Sequence, residues 1–181
     1  FEIVKEKWPS EEISYDKIVK VGTAYETLGE YERSYLVFRA TVESSFQRDS
    51  SVAGFLEAQG QFDRSTTVLS RMLAEYPPEA YVAAATYALA QHIYGKAPLA
   101  ASDPELRKAK INKVDLVRRA WAMLEMFLTA HPDDPAADQA AFAAATALLE
   151  LKQYHEAAAA CQRYAKRYPK SELLDTFWYV I

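Results

Sequence analysis

Apolar residues follow a helical period along nearly the whole chain. Near the N-terminus, Ile18, Val21 and Tyr25 fall on one face at spacings of three and four, and a second face follows with Phe38 and Thr41. Such spacing is typical of amphipathic helices. Few stretches alternate in the manner of strands, and most of the five glycines stand at or beside the ends of helix-period segments. The pattern predicts an all-α chain.

A longer pattern repeats along the sequence. Counting from Gly29 and again from Gly60, an aromatic residue follows after two positions, a small residue after five and a large apolar residue after nine. These residues are Tyr31, Ser34 and Phe38 in the first copy and Phe62, Ser65 and Leu69 in the second. The frame returns near residues 120–132 and 154–169, where each copy closes on a proline. Four copies of one spacing predict a repeat protein.

Each copy is interpreted as a helical hairpin. Gly22 would let a neighbouring helix approach closely, Gly29 suits the left-handed geometry that ends a helix, and proline stops the second helix. A single hairpin cannot bury both of its faces, so neighbours must stack into a right-handed α-α superhelix, a solenoid. The predicted divisions are the end of a preceding repeat at 1–9, repeats at 12–46, 47–77, 78–132 and 136–169, and the start of a further repeat at 171–181. We therefore expect a fragment of a longer solenoid, with a natural capping helix at each end as the alternative.

These residues resemble the tetratricopeptide repeat (TPR) family. The matching positions are Val21, Gly22, Tyr25, Gly29, Tyr31, Ser34 and Phe38 in the first copy, Val52, Ala53, Leu56, Gly60, Phe62, Ser65, Leu69 and Pro77 in the second, and Ala144, Ala145, Leu148, Lys152, Tyr154, Ala157, Cys161 and Pro169 in the last. Phe46 replaces the proline of the first copy, and Lys152 replaces the glycine of the last. The resemblance implies a protein-interaction scaffold without intrinsic catalysis, in which the first helices line a concave groove for a peptide or a partner protein.

Seven side chains are expected to face that groove. They are Thr23, Glu26, Glu57, Thr86, Gln91, Thr146 and Glu150. Because this set is small, polar and somewhat acidic, a basic or hydroxyl-rich ligand would suit it. Family members that grip the acidic C-terminus of a chaperone carry Lys and Asn at two positions before the hairpin glycine. Here those positions hold Val19 and Thr23, then Ser50 and Gly54, so that partner class is disfavoured.

The third copy contains an insertion at about 95–116. The proline that closes this copy is Pro132. More residues separate it from Pro77, the closing proline of the second copy, than separate the closing prolines of the other repeats. Asp103 and Pro104 form a good helix start, and the following spacing predicts one long helix over about 104–130 whose first dozen residues project as an arm. The arm would present Arg107, Lys108, Lys110 and Lys113 to a partner, or only to solvent.

The end of the chain carries a second resemblance. The phrase "RYPKSELLDTFWYVI" is similar to a turn and half-helix in bacterial cell-envelope repeat proteins that work with outer-membrane assembly or the Tol–Pal system. This resemblance implies a bacterial periplasm or cell envelope, with the cytoplasm as the alternative.

Composition narrows the function further. A net charge of −4 without a basic stripe argues against nucleic-acid binding, and no apolar run approaches the length of a membrane span. His92, His131 and His155 have no metal-ligand spacing, and Cys161 falls at a packing position. The sequence therefore predicts no catalytic residue, no metal and no cofactor.

Two alternatives to the scaffold interpretation stay open. The segment could be the substrate-organising or regulatory helical domain of a larger enzyme whose catalytic part lies elsewhere. It could also self-associate through uncovered apolar ends of the solenoid.

Overall fold

A computed structural model describes residue 7 and residues 13–180 of the chain. These residues contain helices and connections but no strand, so the predicted all-α fold class is confirmed. The helices are α1 (Tyr15–Thr27), α2 (Tyr31–Ala58), α3 (Phe62–Glu75), α4 (Ala80–Lys96), α5 (Pro104–Lys108), α6 (Lys113–Ala130), α7 (Ala137–Glu150), α8 (Tyr154–Arg167) and α9 (Leu174–Val180), with a 3-10 turn at Ala97–Leu99. The chain forms two compact units, the first ending at Ser51 and the second beginning at Val52. Apart from Lys7, the predicted end of a preceding repeat at 1–9 lies outside the described residues.

In the first unit, α1 and α2 approach each other at Gly22, as the sequence predicts. A Cβ at Gly22 would lie 2.7 Å from two atoms of the Phe38 ring. Gly29 ends the turn after α1 with a φ of 77°, and the amide of Glu30 donates to the carbonyl of Tyr25 at 2.9 Å. A left-handed residue followed by this backbone bond is the usual C-terminal stop of a helix.

The helix α2 corrects the predicted division at residue 46. Instead of a turn between two hairpins, one continuous helix runs from Tyr31 to Ala58. Neither proline nor glycine occurs at 46–51, so nothing in the local sequence stops the helix. The hydroxyls of Ser50 and Ser51 donate to the carbonyls of Phe46 and Arg48 within the helix.

In the second unit, successive helices pack side by side. α3 packs on α4, α4 on α6, α6 on α7, α7 on α8, and α8 on α9. Small residues such as Ala120, Ala144 and Ala160 are fully buried along these seams, and Phe127 and Phe177 fill the larger spaces between them. The abundance of alanine thus permits close helix packing.

The insertion does not form the predicted long, projecting helix. α5 ends at Lys108 and α6 begins at Lys113, with Lys110 between them at a φ of 57°. Leu106 and Ile111 are buried on either side of this break. A straight helix would turn one of these side chains away from the core, so burial of both favours a bend held against the body of the unit.

Candidate partner-binding surface

The seven predicted groove residues fall into two sets. Thr23 and Glu26 are exposed on α1 in the first unit. The other five belong to the second unit, on the last turns of α2, on α4 and on α7. Among the described residues, contacts that link one predicted first helix to the next involve the second set.

Thr86 corrects the predicted groove. It is 2 % exposed, and its hydroxyl donates to the carbonyl of Val82 at 2.7 Å. Val82, Leu89 and Ile93 are buried on the same stripe of α4, so position 86 faces the core and not the predicted groove. The open side of α4 is formed instead by Ala84, Ala88 and Gln91.

Glu57 is held by a residue of the next first helix. Its Oε1 lies 2.6 Å from Nε2 of His92, and the His92 ring packs against Phe62 with ring centroids 5.5 Å apart. The contact joins the end of α2 to α4, within the second unit.

Glu150 is held in the same way. The hydroxyl of Tyr94 donates to its Oε1, and Nζ of Lys113 lies 3.0 Å from its Oε2. Burial and the neighbouring carboxylate raise the pKa of Tyr94 to about 12. The Tyr94 hydrogen bond, helped by Lys113, lowers the pKa of the Glu150 carboxyl. Glu150 is thus a fixed anion shared by α4, α6 and α7.

Two groove residues keep free surface. Gln91 is exposed on α4, and Thr146 is half-buried on α7 with its hydroxyl donated to the carbonyl of Phe142 at 2.9 Å. Ala84 and Ala88 are exposed on α4 as well, so the open side of this helix carries small and amide-bearing side chains.

The four predicted arm residues lie around the bend of the insertion. Arg107, Lys108, Lys110 and Lys113 are exposed, and Arg107, Lys110 and Lys113 line one cleft of about 430 Å³. Lys113 belongs to both surfaces, because it also contacts Glu150. The sequence placed these cations on one helix, whereas the structure gathers them by a bend.

The described part of the chain offers few candidates for a metal site, a catalytic nucleophile or a membrane-spanning helix. No group of three or more His, Cys, Asp or Glu side chains there could hold a metal ion. Cys161 is fully buried, and burial raises the pKa of its thiol, which opposes a nucleophilic role. Within the same ranges, no helix combines the length and the apolar character that crossing a bilayer requires.

Sequence reasoning missed Tyr94 and His92 as members of this surface. Their partners stand 56 and 35 residues away, so no local spacing reveals the pairs. The only available signal was that both lie in the last turns of a helix predicted to face the groove.

Comparison with known proteins identifies one repeat. Residues 139–171 match the family model described as Tetratricopeptide repeat. The match covers most of α7, all of α8 and the turn that follows, and it overlaps the predicted repeat at 136–169. No curated protein matches the chain significantly. Residues 139–171 are therefore similar to one tetratricopeptide repeat, as the sequence pattern indicates, while the other repeat divisions stay predictions.

Proposed function

We propose that this chain is a protein-interaction scaffold that holds a peptide or a partner helix along α4 and α7, and that it has no catalysis of its own. The observation that carries this proposal is the open side of these two helices. Ala84, Ala88 and Gln91 leave little bulk above the α4 backbone, and Thr146 does the same on α7. A partner can therefore approach closely and exchange hydrogen bonds with amide and hydroxyl groups.

The two carboxylates that already have partners narrow the chemistry expected of the ligand. Glu57 and Glu150 already have partners in the chain, His92 for the first and Tyr94 with Lys113 for the second. A strongly basic ligand would have to compete with these partners. This favours a ligand rich in hydroxyl or amide groups over a polycationic one.

The repeat match supports the same class of function. Most of α7 lies within the matched residues, and the tetratricopeptide repeat is typically a non-catalytic interaction module. A periplasmic location and self-association stay predictions of the sequence. The exposed rings of Trp178 and Tyr179 on α9 support the second of these.

Site-specific photocrosslinking tests the proposed groove. A benzophenone amino acid would replace Gln91 or Thr146 in separate variants, and Gln162, exposed on α8, would serve as the control position. In extracts of the native host, we expect a defined adduct from the first two positions and none from the third. Identical adducts from all three positions, or none from Gln91 and Thr146, would contradict the groove.

A further inference from the structure

The bend of the insertion concentrates positive charge. Residues 107–113, "RKAKINK", contain four cations and no carboxylate in a chain whose net charge is −4. All four cations are exposed. Within the described part of the chain, Arg107, Lys108 and Lys110 have no ion-pair partner, and Lys113 pairs with Glu150 alone. This charge is therefore largely uncompensated.

The base of the bend is fixed to the body of the second unit. Leu106 is fully buried, Ile111 is 8 % exposed, and the Glu105 carboxylate accepts a hydrogen bond from the amide of Phe62 at 2.9 Å. Asp103 caps α5 by accepting from the amides of Glu105 and Leu106. The nearby carboxylates are thus engaged with backbone amides, and the cations stand on a rigid support.

Three of the cations surround a single concavity. Arg107, Lys110 and Lys113 line the cleft of about 430 Å³, together with the 3-10 turn and Asn112. No carboxylate lines this cleft. Its floor includes the buried Ala97, Ala100 and Ile111, so the concavity combines an apolar floor with a cationic rim.

We propose that this cleft binds an acidic peptide segment of a partner protein. The carboxylates of such a segment would pair with Arg107, Lys110 and Lys113, and its aliphatic stems would cover the apolar floor. A compact cleft in an acidic chain suits a short run of carboxylates, whereas nucleic acid calls for a longer basic track. The site adds a second contact to the proposed scaffold and does not require a ligand in the groove, although Lys113 contacts the groove residue Glu150.

Lys113 connects the two surfaces. Its ammonium lies 3.0 Å from Glu150 Oε2, and Glu150 also accepts from Tyr94. An acidic ligand in the cleft competes with Glu150 for this ammonium. Neutralising Glu150 is therefore expected to strengthen ligand binding at the cleft, because it frees the Lys113 ammonium for the ligand.

Nuclear magnetic resonance titration tests the proposal directly. The probe is the capped peptide acetyl-Glu-Glu-Glu-Glu-amide, added at low salt to the nitrogen-15-labelled chain. We expect the largest amide shifts at residues 107–113. We expect Lys110→Glu to weaken binding about tenfold, since charge reversal replaces attraction with repulsion in a cluster of exposed charges. Glu150→Gln should tighten binding about twofold to threefold.

The chain provides matched controls. Lys152 is also an exposed lysine with a left-handed backbone, at a φ of 60°, so Lys152→Glu makes the same change at a residue of the same backbone geometry that does not line the cleft. Glu156, exposed on α8, controls for Glu150 through Glu156→Gln. Both control variants should bind the peptide within about twofold of the native chain. Circular dichroism verifies that every variant is folded.

Several results would overturn the cleft. These are equal losses from Lys110→Glu and Lys152→Glu, amide shifts spread beyond the cleft segments 97–101 and 107–113, and tighter binding of a single-stranded oligonucleotide than of the peptide. An equal response to acetyl-Gln-Gln-Gln-Gln-amide would also exclude recognition of carboxylates. Because Gln91 and Thr146 play no part here, failure of this test leaves the photocrosslinking result on the groove intact.

Discussion

Two glycines inside helices have opposite surroundings. Gly22 in α1 is buried against the Phe38 ring, with only 2.7 Å available to a Cβ, whereas Gly54 in α2 has nothing within 4 Å of that position. Alanine favours the helix over glycine by about 0.5–1 kcal/mol when space is free. The same substitution can therefore have opposite effects at these two sites.

We predict that Gly54→Ala raises the free energy of unfolding by about 0.5–1 kcal/mol. Gly22→Ala should lower it by about 1 kcal/mol, because displacing Phe38 outweighs the gain in helix propensity. Urea unfolding followed by circular dichroism measures both. An increase of equal size in the two variants would show that the Gly22 contact is not a constraint.

The link between Tyr94 and Glu150 makes a prediction about alkaline pH. The pKa of Tyr94 is raised to about 12, above its ordinary value near 10, mainly by burial and then by the Glu150 carboxylate. The protonated phenol is thus stabilised by folding, and this contribution is complete below pH ~10 and is lost as the pH rises to about 12.

Difference absorbance titration of the native chain against Tyr94→Phe should isolate a phenol that ionises near pH ~12. Glu150→Gln removes the charge and should move that ionisation towards lower pH. The native chain should also lose stability relative to Tyr94→Phe over pH ~10–12. A difference spectrum centred near pH ~10 in the native chain would contradict the bond.

Helix ends show how far the sequence predicts the elements. Gly29 and Gly60 take the left-handed conformation that the repeat frame requires, and Lys152 takes the same conformation where the frame loses its glycine. The amides of Gln61 and Gln153 donate to Leu56 and Leu148 in the same way. Position in the frame thus determines the turn, even when the residue type is unfavourable.

The elements that the sequence did not predict depend on packing between distant residues. The continuity of α2 at 46–51 and the bend at Lys110 involve no proline or glycine at the decisive positions. The bend is held by burial of Leu106 and Ile111 and by the bond from Phe62 to Glu105, 43 residues away. A local helical period cannot represent such contacts.

Lys152 offers a test of how much a left-handed lysine at a helix end costs in stability. A lysine in the left-handed region carries a steric cost that glycine avoids, and this side chain is exposed, so it contributes little packing. We expect Lys152→Gly to raise the free energy of unfolding by about 0.5–1 kcal/mol. Gln162→Gly, at an exposed position within α8, should lower it by about 1 kcal/mol. Thermal unfolding compares the two, and a loss of stability in Lys152→Gly would show that its conformation is unstrained.

At the scale of the whole molecule, the sequence nominates residues for the candidate surface but does not predict the contacts between them. Glu57, Gln91 and Glu150 follow from the repeat frame, since each stands on a first helix. Their cross-helix partners and the burial of Thr86 depend on how each helix rotates about its axis against the next. That rotation is set by the packing of the alanine-rich seams, and the local spacing of residues in the sequence does not reveal it.

The buried alanines between packed helices also predict how far the effect of a core substitution should extend. Ala144 is fully buried on α7, which packs between α6 and α8 in the second unit, while α1 belongs to the first unit. Ala144→Leu inserts bulk where no space exists and should cost about 1–3 kcal/mol. Ala159→Leu, exposed on α8, should change stability by less than about 0.5 kcal/mol.

Hydrogen exchange read by mass spectrometry would locate the effect of Ala144→Leu. We expect faster exchange in α6, α7 and α8 and an unchanged rate in α1, because compact units with separate cores open separately. Equal acceleration of α1 would instead mean that the two units unfold as one cooperative body. In a stacked-helix protein that outcome would place the main coupling in the continuous helix α2, which contains the boundary at Ser51–Val52.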